Sequence, residues 1–564
     1  MNKYLRWLKD KIWKEKEDIN VIIDKPIIEE KNIVLPKIIS EDPQLHRMAD
    51  LSGEARRRAF VHPISAGIPE QMASYVVYID GTTIYAKNGH TGQIDYSGTD
   101  ASTVINNALS NLTSGRTWKE KVTLKGNFTI GTKISVPSYT NINIQGKLTL
   151  SNNVNDSMFG NTEASLSLPS NIEFDGGILD GNKANNVGGT QYQYLIDAGF
   201  ATKLTVKNML LQNFNHMAIR FAGWAITEFH AQGRKPSENI AENNVIEDGG
   251  SGVTANDCGI MVTAVSSLGS VIRGNLIRNI NGGGILLEDR TNHIVVSNNV
   301  IWRVQQHGIF GWYTYDNEIT NNIVAEASYS SGASAYFGIG GHCRHHIIKG
   351  NIVYGACIGI GIDNDNIQGL GMFNEIEGNT VWDNGNASFA GYGCTIRGGV
   401  TYKAEYNKIH NNFFNNTNAY DNFSITLEGQ TFTDYKTNYQ NYGISFDANC
   451  LNNEVIGNNL LGNTIAKIET PTGASIIKDN VGYITENNSI ATILSGTALI
   501  AVNLSGVIVN TSGSPTTVIV SVITSGYGDR FYYPSNFNSG SFTIYTPNNT
   551  SAAVLLSYHT TYNP

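Results

Sequence analysis

A short phrase recurs along the middle of the chain and constrains the fold more than any other feature. It consists of glycine or asparagine, then asparagine, then an apolar residue, and successive copies lie 22 to 46 residues apart. Such variable spacing is typical of a solenoid whose coils carry loops of different length. Stacked coils would bring each asparagine amide next to the amide one coil away, so we expect a hydrogen-bonded ladder. Its members are Asn244, Asn275, Asn299, Asn322, Asn351, Asn379, Asn412, Asn458 and Asn480.

A second phrase, glycine followed by isoleucine, opens another short apolar run in most coils. Alternating apolar residues after each copy predict strands that stack coil upon coil, with side chains pointing alternately into the core and outward. The composition agrees with an apolar solenoid, because only 15% of the residues are charged, against about 25% in an average soluble protein. The copies begin at Gly259, Gly284, Gly308, Gly338, Gly359 and Gly443.

The segments on either side of the repeat divide the chain into four parts. Residues 1–72 are predicted to be a charged helix or stem with a linker, since residues 1–59 alone carry 13 Lys or Arg and 11 Asp or Glu. Residues 73–99 are a short β-rich segment. Residues 100–487 hold one amphipathic helix, with Asp100 or Ser102 as its N-cap, and the solenoid, whose open edge the helix would cover. Residues 488–564, rich in Thr, Ser and Val, predict a small β-sandwich.

The repeated turns resemble those of a known group of proteins. The Asn-Asn-Val and Gly-Asn-Leu turns, the phrase Asp-Gly-Gly-Ile-Leu-Asp-Gly-Asn at residues 175–182 and the preceding helix are similar to right-handed parallel β-helix proteins of the pectin-lyase-like superfamily. The resemblance covers residues 95–485 and implies an all-β fold, a right-handed parallel β-helix with an N-terminal capping helix. It leaves the reaction open, because that superfamily includes polysaccharide lyases, glycoside hydrolases, epimerases, phage tailspikes and proteins without known catalysis.

Functional side chains of a β-helix must line up on an outward face, because the interior is apolar. We aligned the six coils with the Gly-Ile phrase, together with two coils in which Gly393 and Ser424 stand at the place of the glycine, and took the fourth residue after that position. Seven of the eight residues so found are charged, histidine or aromatic: Thr263, Glu288, Trp312, His342, Asp363, Arg397, Glu428 and Asp447. Aromatic rings stack on sugar rings, while arginine and carboxylates bond uronate and hydroxyl groups, so this row predicts a carbohydrate site. Neighbouring residues of the same types extend it, namely Asp289, Arg290, Tyr313, Tyr315, Asp316, Arg344, His345 and Asp365.

Two mechanisms remain open for this row. Asp363 and Asp365 would lie about 7 Å apart if their strand continues, which suits the carboxylate pair of an inverting glycoside hydrolase. Resemblance to polygalacturonase-like members gives His342 and Arg397 supporting roles. A β-eliminating lyase would instead use a base such as His342 or Arg397, with cationic groups to neutralise a uronate. The residues expected to bind substrate are Glu288, Asp289, Arg290, Trp312, Tyr313, Tyr315, Arg344 and Glu428.

No cofactor is required by either mechanism, although a lyase would be served by calcium held on the acidic residues. We expect no other metal site. Strand alternation separates His342 and His346 from His345, which argues against zinc. The five cysteines are widely spaced and predict small buried apolar side chains.

Charge and the N-terminal sequence bear on partners and location. A net charge of -9 argues against nucleic-acid binding, and no apolar run is long enough for a transmembrane helix. The first 20 residues mix charges throughout, so we expect no Sec signal peptide. The resemblance then implies an extracellular or virion-associated, tailspike-like depolymerase that recognises a cell-surface glycan. It further implies a homotrimer, attached to a virion or other assembly through residues 1–72.

Two alternatives to the hypothesis of a tailspike-like depolymerase stay open. One is a structural or adhesive β-helix fibre without catalysis. The other is a secreted or surface-displayed polysaccharide lyase or glycoside hydrolase of a cell.

Overall fold

The computed structural model describes most of the chain from residue 73 onward. The described residues are 73–160, 169–187, 193–199, 201–221, 237–252, 256–263, 269–327, 336–364, 366–367, 369–385, 391–416, 424–427, 430–433, 440–463, 465–469, 474–483, 486–493, 499–503, 517–522, 533–538, 541–545 and 554–561. The predicted stem and linker at residues 1–72 lie outside them. Among the described residues, none forms a helix with the length and apolar character needed to cross a membrane.

Three short parallel strands make up each coil and stack on their counterparts in the neighbouring coils, which gives three faces. The strands of face 1 are Ser170–Asp175, Thr202–Lys207, Ile240–Glu242, Val271–Arg273, Val295–Ser297, Glu318–Thr320, Ile347–Lys349, Glu375–Glu377, Lys408–His410, Asn453–Ile456 and Ala474–Lys478. The strands of face 2 are Ile178–Asp180, Leu210–Gln212, Val245–Glu247, Leu276–Ile280, Val300–Val304, Ile323–Ala327, Ile352–Tyr354, Thr380–Trp382 and Phe413–Asn415.

Face 3 is a separate sheet of twelve parallel strands and carries the residues singled out from the sequence. Its strands are Ile134–Ser135, Phe159–Gly160, Tyr194–Ala198, Met217–Phe221, Cys258–Val262, Gly283–Glu288, Ile309–Tyr315, Phe337–Arg344, Ile358–Asp363, Gly391–Arg397, Gln440–Phe446 and Ala466–Glu469. The isoleucines of the Gly-Ile phrases pair in register from Ile260 through Ile285, Ile309 and Ile339 to Ile360. All five are fully buried, so they form one inward row of the core.

The asparagine ladder forms at the corner between faces 1 and 2. From Asn244 to Asn480, the backbone N–H and the side-chain Nδ2 of each ladder residue both donate to Oδ1 of the next, at 2.9 to 3.0 Å. The residue before each ladder asparagine takes the left-handed conformation: Asn243, Gly274, Asn298, Asn321, Gly350, Gly378, Asn411, Gly457 and Asp479. The predicted ladder is therefore confirmed.

A second ladder, not expected from the sequence, runs along the corner between faces 3 and 1. The backbone N–H of His346 donates to Asn374, that of Asn374 to Asn407, and that of Asn407 to Asn453. The His346 ring contacts Asn317 at 3.1 Å, and burial lowers its pKa to about 3. His346 is thus a neutral side chain that takes part in the packing of the coils. The five cysteine side chains are buried as well.

The N-terminal end is covered as the sequence predicts. Three antiparallel strands, Tyr75–Asp80, Thr83–Asn88 and Ile94–Gly98, lead into a helix at Ala101–Ser110. Asp100 caps that helix by accepting from the backbone N–H groups of Ser102 and Thr103. The apolar side of the helix joins the core of the first coils. Two long strands, Glu120–Ile130 and Thr140–Leu150, then begin the parallel stack, and a short 3-10 helix follows at Lys183–Asn185.

Smaller elements complete the described chain. A bridge joins Ala404–Glu405 to Cys450–Leu451, and Ser424–Leu427 pairs with Gln430–Thr433. Two three-stranded antiparallel sheets follow the last coil, in the region where the sequence predicts a β-sandwich. One contains Glu486–Ile493, Val554–Thr561 and Thr517–Val522, and the other contains Leu499–Asn503, Ser541–Tyr545 and Tyr533–Asn538.

Candidate functional site

Five residues of the predicted row stand side by side on adjacent strands of face 3. The register pairs Glu288 with Trp312, Trp312 with His342, His342 with Asp363 and Asp363 with Arg397. Neighbouring strands are about 4.8 Å apart, so these five residues, the outward stripe, extend over roughly 19 Å. The alignment on the Gly-Ile phrase thus found the correct register.

The residues at the two ends of the predicted row are engaged in hydrogen bonds within the protein. Thr263 donates its hydroxyl to the Asp289 carboxylate at 3.1 Å. Asp447 accepts the backbone N–H of Gly398 at 3.0 Å, which holds the carboxylate against the backbone. Glu428 lies outside the described residues. The outward stripe therefore consists of the five central positions.

Aromatic rings surround the imidazole of His342, which is itself 8% exposed. The ring centroid of Trp312 lies 4.6 Å from it, that of Tyr313 5.7 Å and that of Phe310 6.0 Å. A register shift between Trp312 and Thr314 places Tyr313 in a bulge with φ 56°, and the bulge redirects its ring toward Trp312. Trp312 remains 36% exposed and can offer its ring to a ligand.

Glu288 ends its strand in a setting that favours the protonated carboxyl. Burial raises its pKa to about 7, and the neighbouring Asp289 carboxylate acts in the same direction. Asp289 and Arg290 follow in the left-handed conformation, and their N–H groups donate to the carbonyls of Trp312 and Tyr313 at 3.1 and 2.8 Å. Arg290 is exposed beside the stripe. Glu288 can therefore hold and release a proton near neutral pH.

The strand does not continue to Asp365, as a hydrolytic pair with Asp363 would require. It ends at Asp363, and Asn364 turns inward, where its side-chain Nδ2 donates to the carbonyls of Leu370 and Tyr402 at 2.9 and 3.1 Å. The condition for the 7 Å spacing is therefore not met. Asp365 lies outside the described residues.

Arg344 and Tyr315 lie beyond the stripe, where face 3 turns toward face 1. Their backbones pair in register, and both side chains are half-buried. The Arg344 guanidinium lies 5.6 Å from the centre of the Phe373 ring. It also lines a cleft of about 570 Å³ together with Tyr402 and Lys403. The repeat did not single out Phe373, Tyr402 or Lys403, because these residues follow turns whose length cannot be read from the sequence.

An ion pair in an earlier coil of face 3 was also missed. Arg220 donates to the Asp197 carboxylate at 2.9 and 3.3 Å, and its guanidinium lies 4.6 Å from the centre of the Tyr194 ring. Burial raises the pKa of Asp197, and the positive charge of Arg220 opposes that rise. These coils lack the Gly-Ile phrase, so the alignment did not reach them. Their period could have been taken instead from the pairing partners of Ile260.

One family profile matches part of the chain. It is described as periplasmic copper-binding protein (NosD) and matches residues 211–424, less than half of the sequence. Copper needs several nitrogen or sulfur ligands around one point. In the described part of the chain, no three His, Cys, Asp or Glu side chains come together closely enough to hold a metal ion. The described residues therefore do not fit a copper centre.

Solved structures share the architecture. The Dettilon tailspike protein superposes with a TM-score of 0.51 at 16% identity, over 82% of this chain and 92% of that one. The tailspike of E. coli bacteriophage HK620, solved with a pentasaccharide, gives 0.49 at 14% identity over 82% and 90%. The A-module of a mannuronan C-5 epimerase from Azotobacter vinelandii gives 0.48 at 12% identity over 68% and 95%.

Identities at this level concern the fold alone. No curated protein matches the sequence. The stacked parallel strands, the asparagine ladders and the Dettilon superposition agree with the turns recognised in the sequence. The chain is a right-handed parallel β-helix protein.

Proposed function

We propose that this protein binds an acidic polysaccharide along the outward stripe and cleaves it. The observation that supports this proposal is the register of face 3, which sets an aromatic ring, an imidazole, two carboxyl groups and a guanidinium side by side. Trp312 provides a surface on which a sugar ring can stack. Arg397, at one end of the stripe, and Arg290 beside it can bond uronate carboxylates in the bidentate manner of guanidinium groups.

Glu288 is the proposed general acid. A carboxyl with a pKa near 7 is largely protonated at slightly acidic pH and can give its proton to the oxygen of a breaking glycosidic bond. Its neighbour in the register is Trp312, so a sugar stacked on that ring would lie beside Glu288. Both elimination and hydrolysis need such an acid.

His342 is the proposed base, which favours elimination. It lies two strands from Glu288, about 9.6 Å along the stripe, on the other side of Trp312. His342 would remove the proton from C5 of a uronate, the electron pair would form the C4–C5 double bond, and the C4–O bond would break. The leaving oxygen would take the proton of Glu288. The carboxylate beside C5 would be neutralised by Arg290 or Arg397.

The test follows two products at once on pectate, alginate, hyaluronate and neutral dextran. Elimination is expected to raise both reducing ends and the ultraviolet absorbance of the new double bond, and to do so only on an acidic substrate. Glu288→Gln and His342→Ala are expected to abolish both signals, while Glu318→Gln, an exposed carboxylate on face 1, should change neither. Reducing ends without absorbance would replace elimination by hydrolysis. Binding without either product would leave an adhesive function.

Calcium enters the same experiment as a variable. An acidic substrate can be held through Ca²⁺ bound by a carboxylate such as Asp289. Reactions are therefore run with EDTA and with added calcium. If the arginines alone neutralise the uronate, the rate should be the same in both.

The assembly is proposed on the tailspike resemblance. We propose an extracellular or virion-associated homotrimer that attaches through residues 1–72 and recognises a cell-surface glycan. Light scattering on the full chain tests it, since a trimer has three times the 61.4 kDa mass of the chain. A monomer would favour a secreted or surface enzyme of a cell.

A further inference from the structure

A row of exposed rings lies at the corner between faces 3 and 1, outside the outward stripe. It consists of His345, Phe373 and Tyr406, each of which immediately precedes a member of the second ladder. The Phe373 and Tyr406 rings stack 5.2 Å apart at 8°, and the His345 ring lies 5.3 Å from Phe373. Phe373 is 42% exposed and Tyr406 47%. We call these three residues the corner row.

The backbone of the corner row is unfavourable for aromatic residues. All three residues have positive φ, between 55° and 58°. In this conformation a Cβ crowds the backbone, and glycine, asparagine and aspartate tolerate it best. At the corner between faces 1 and 2, the nine left-handed residues that precede the ladder asparagines are all Asn, Gly or Asp. The fold can therefore be built without rings at the corner between faces 3 and 1, and backbone geometry does not account for them.

A positively charged cleft adjoins the corner row. It measures about 570 Å³ and is lined by Phe373, Arg344, Tyr402, Lys403 and Glu405 among others. The Nε atom of Arg344 is buried and has no hydrogen-bond partner among the described residues. A Cβ at Gly369 would come within 3.0 Å of the same guanidinium, so a glycine there leaves room for it. The cleft thus combines one unsatisfied buried donor with an aromatic wall.

We infer that the corner row and this cleft form a second carbohydrate-binding site, for a sugar unit that carries a carboxylate. A sugar ring would pack against the exposed parts of the Phe373 and Tyr406 rings. Its carboxylate would be bonded by Arg344 and Lys403, and Glu405 would accept hydrogen bonds from hydroxyl groups. The site holds the polymer without cleaving it. It stands on different residues from the outward stripe and does not depend on cleavage there.

Affinity electrophoresis of the full chain in gels containing pectate, alginate, hyaluronate or dextran tests this site. The test variant is Phe373→Asn with Tyr406→Asn, because asparagine suits the left-handed backbone. We expect an acidic polysaccharide, and not dextran, to retard the wild type. The variant should bind at least about tenfold more weakly, while its melting temperature stays equal or rises. Trp118→Ala removes an exposed ring elsewhere and should change nothing.

Charge is tested separately from stacking. Arg344→Gln should weaken binding to the acidic polymer at low salt, and salt should weaken wild-type binding in the same way. Unchanged retardation of both variants, with unchanged melting, would overturn the inference, as would a wild type that no acidic polymer retards. A change in oligomeric mass without a change in retardation would also overturn it, in favour of contact between copies of the chain.

The two proposals fail in distinguishable ways. Loss of cleavage in Glu288→Gln, together with weaker retardation of the corner variant, supports both sites. Normal retardation of the corner variant, on a polymer that the wild type cleaves, removes the corner site and leaves the outward stripe.

Discussion

Asn351 donates both its backbone N–H and its side-chain Nδ2 to Oδ1 of Asn379, at 2.9 and 3.0 Å. The Asn351 Oδ1 atom in turn accepts the same two donors from Asn322, and its Nδ2 also reaches the carbonyl of Ile319 at 2.9 Å. All of these groups are buried. A single side chain therefore satisfies polar groups in the coils on both sides of its own.

Asn351→Ala should lower the free energy of unfolding by about 3 kcal/mol, because it leaves the N–H of Asn322 and the carbonyl of Ile319 buried without partners. Urea unfolding followed by circular dichroism measures the change. Lys349→Ala, two residues away and exposed, serves as the control and should leave the midpoint unchanged. An equally small effect of the two variants would mean that the ladder bonds do not stabilise the fold.

Glu288 should make stability depend on pH. Its pKa rises from 4.5 in the unfolded chain to about 7 in the folded protein, so the folded state binds the proton more tightly. Stability should then fall as pH rises from about 4.5 to about 7 and level off above that, by up to about 3 kcal/mol. Unfolding at several pH values, compared with Glu288→Gln, isolates this contribution. The variant should lose that slope, and an identical slope in both proteins would exclude Glu288 as its source.

The rate of cleavage should also depend on whether the Glu288 carboxyl carries its proton. If Glu288 is the general acid, kcat should decline as pH rises through about 7. Glu288→Gln should lower kcat by about 10²- to 10⁴-fold below pH 7, and the difference from the wild type should narrow as pH rises above 7. Initial rates on the cleaved polymer between pH 5 and 9 measure both effects. A variant that keeps the wild-type profile would assign the proton to another group.

Removing only one partner of the Asp197–Arg220 ion pair should strongly lower the free energy of unfolding. Arg220→Met leaves a buried carboxylate alone and should destabilise the protein by about 3 to 5 kcal/mol. Adding Asp197→Asn should recover much of this loss, since no buried charge remains. Arg273→Met, which removes an exposed partner of Glu242, should cost less than about 1 kcal/mol. Denaturant unfolding of the three variants measures this order, and equal losses would contradict it.

The sequence was most informative where the number of residues between a repeated motif and a side chain on the outer face is the same in successive coils. The fourth residue after the aligned glycine occupies the same register position in each of these coils, so Glu288, Trp312, His342, Asp363 and Arg397 could be placed on one face. The asparagine ladder was predictable for the same reason. Both depend on a constant local geometry that the stacked strands impose.

Prediction was weaker wherever the chain leaves that constant geometry. The strand that carries Asp363 ends there, because Asn364 is drawn inward by two carbonyl groups, and no repeat signals that end. Phe373 and Tyr406 could not be grouped because turns of different length precede them. His346 was assigned no structural role, since a histidine in place of a ladder asparagine can be recognised only from its hydrogen bonds.

The constancy of the asparagine ladder has a consequence for how such a chain can change. Successive ladder residues are 22 residues apart in one coil and 46 in another, yet their hydrogen bonds stay between 2.9 and 3.0 Å. The number of residues in a coil therefore does not change the way in which the next coil stacks on it. Residues can be inserted into the turns of one coil without displacing the next, so the surroundings of the outward stripe can diversify while the scaffold beneath stays the same.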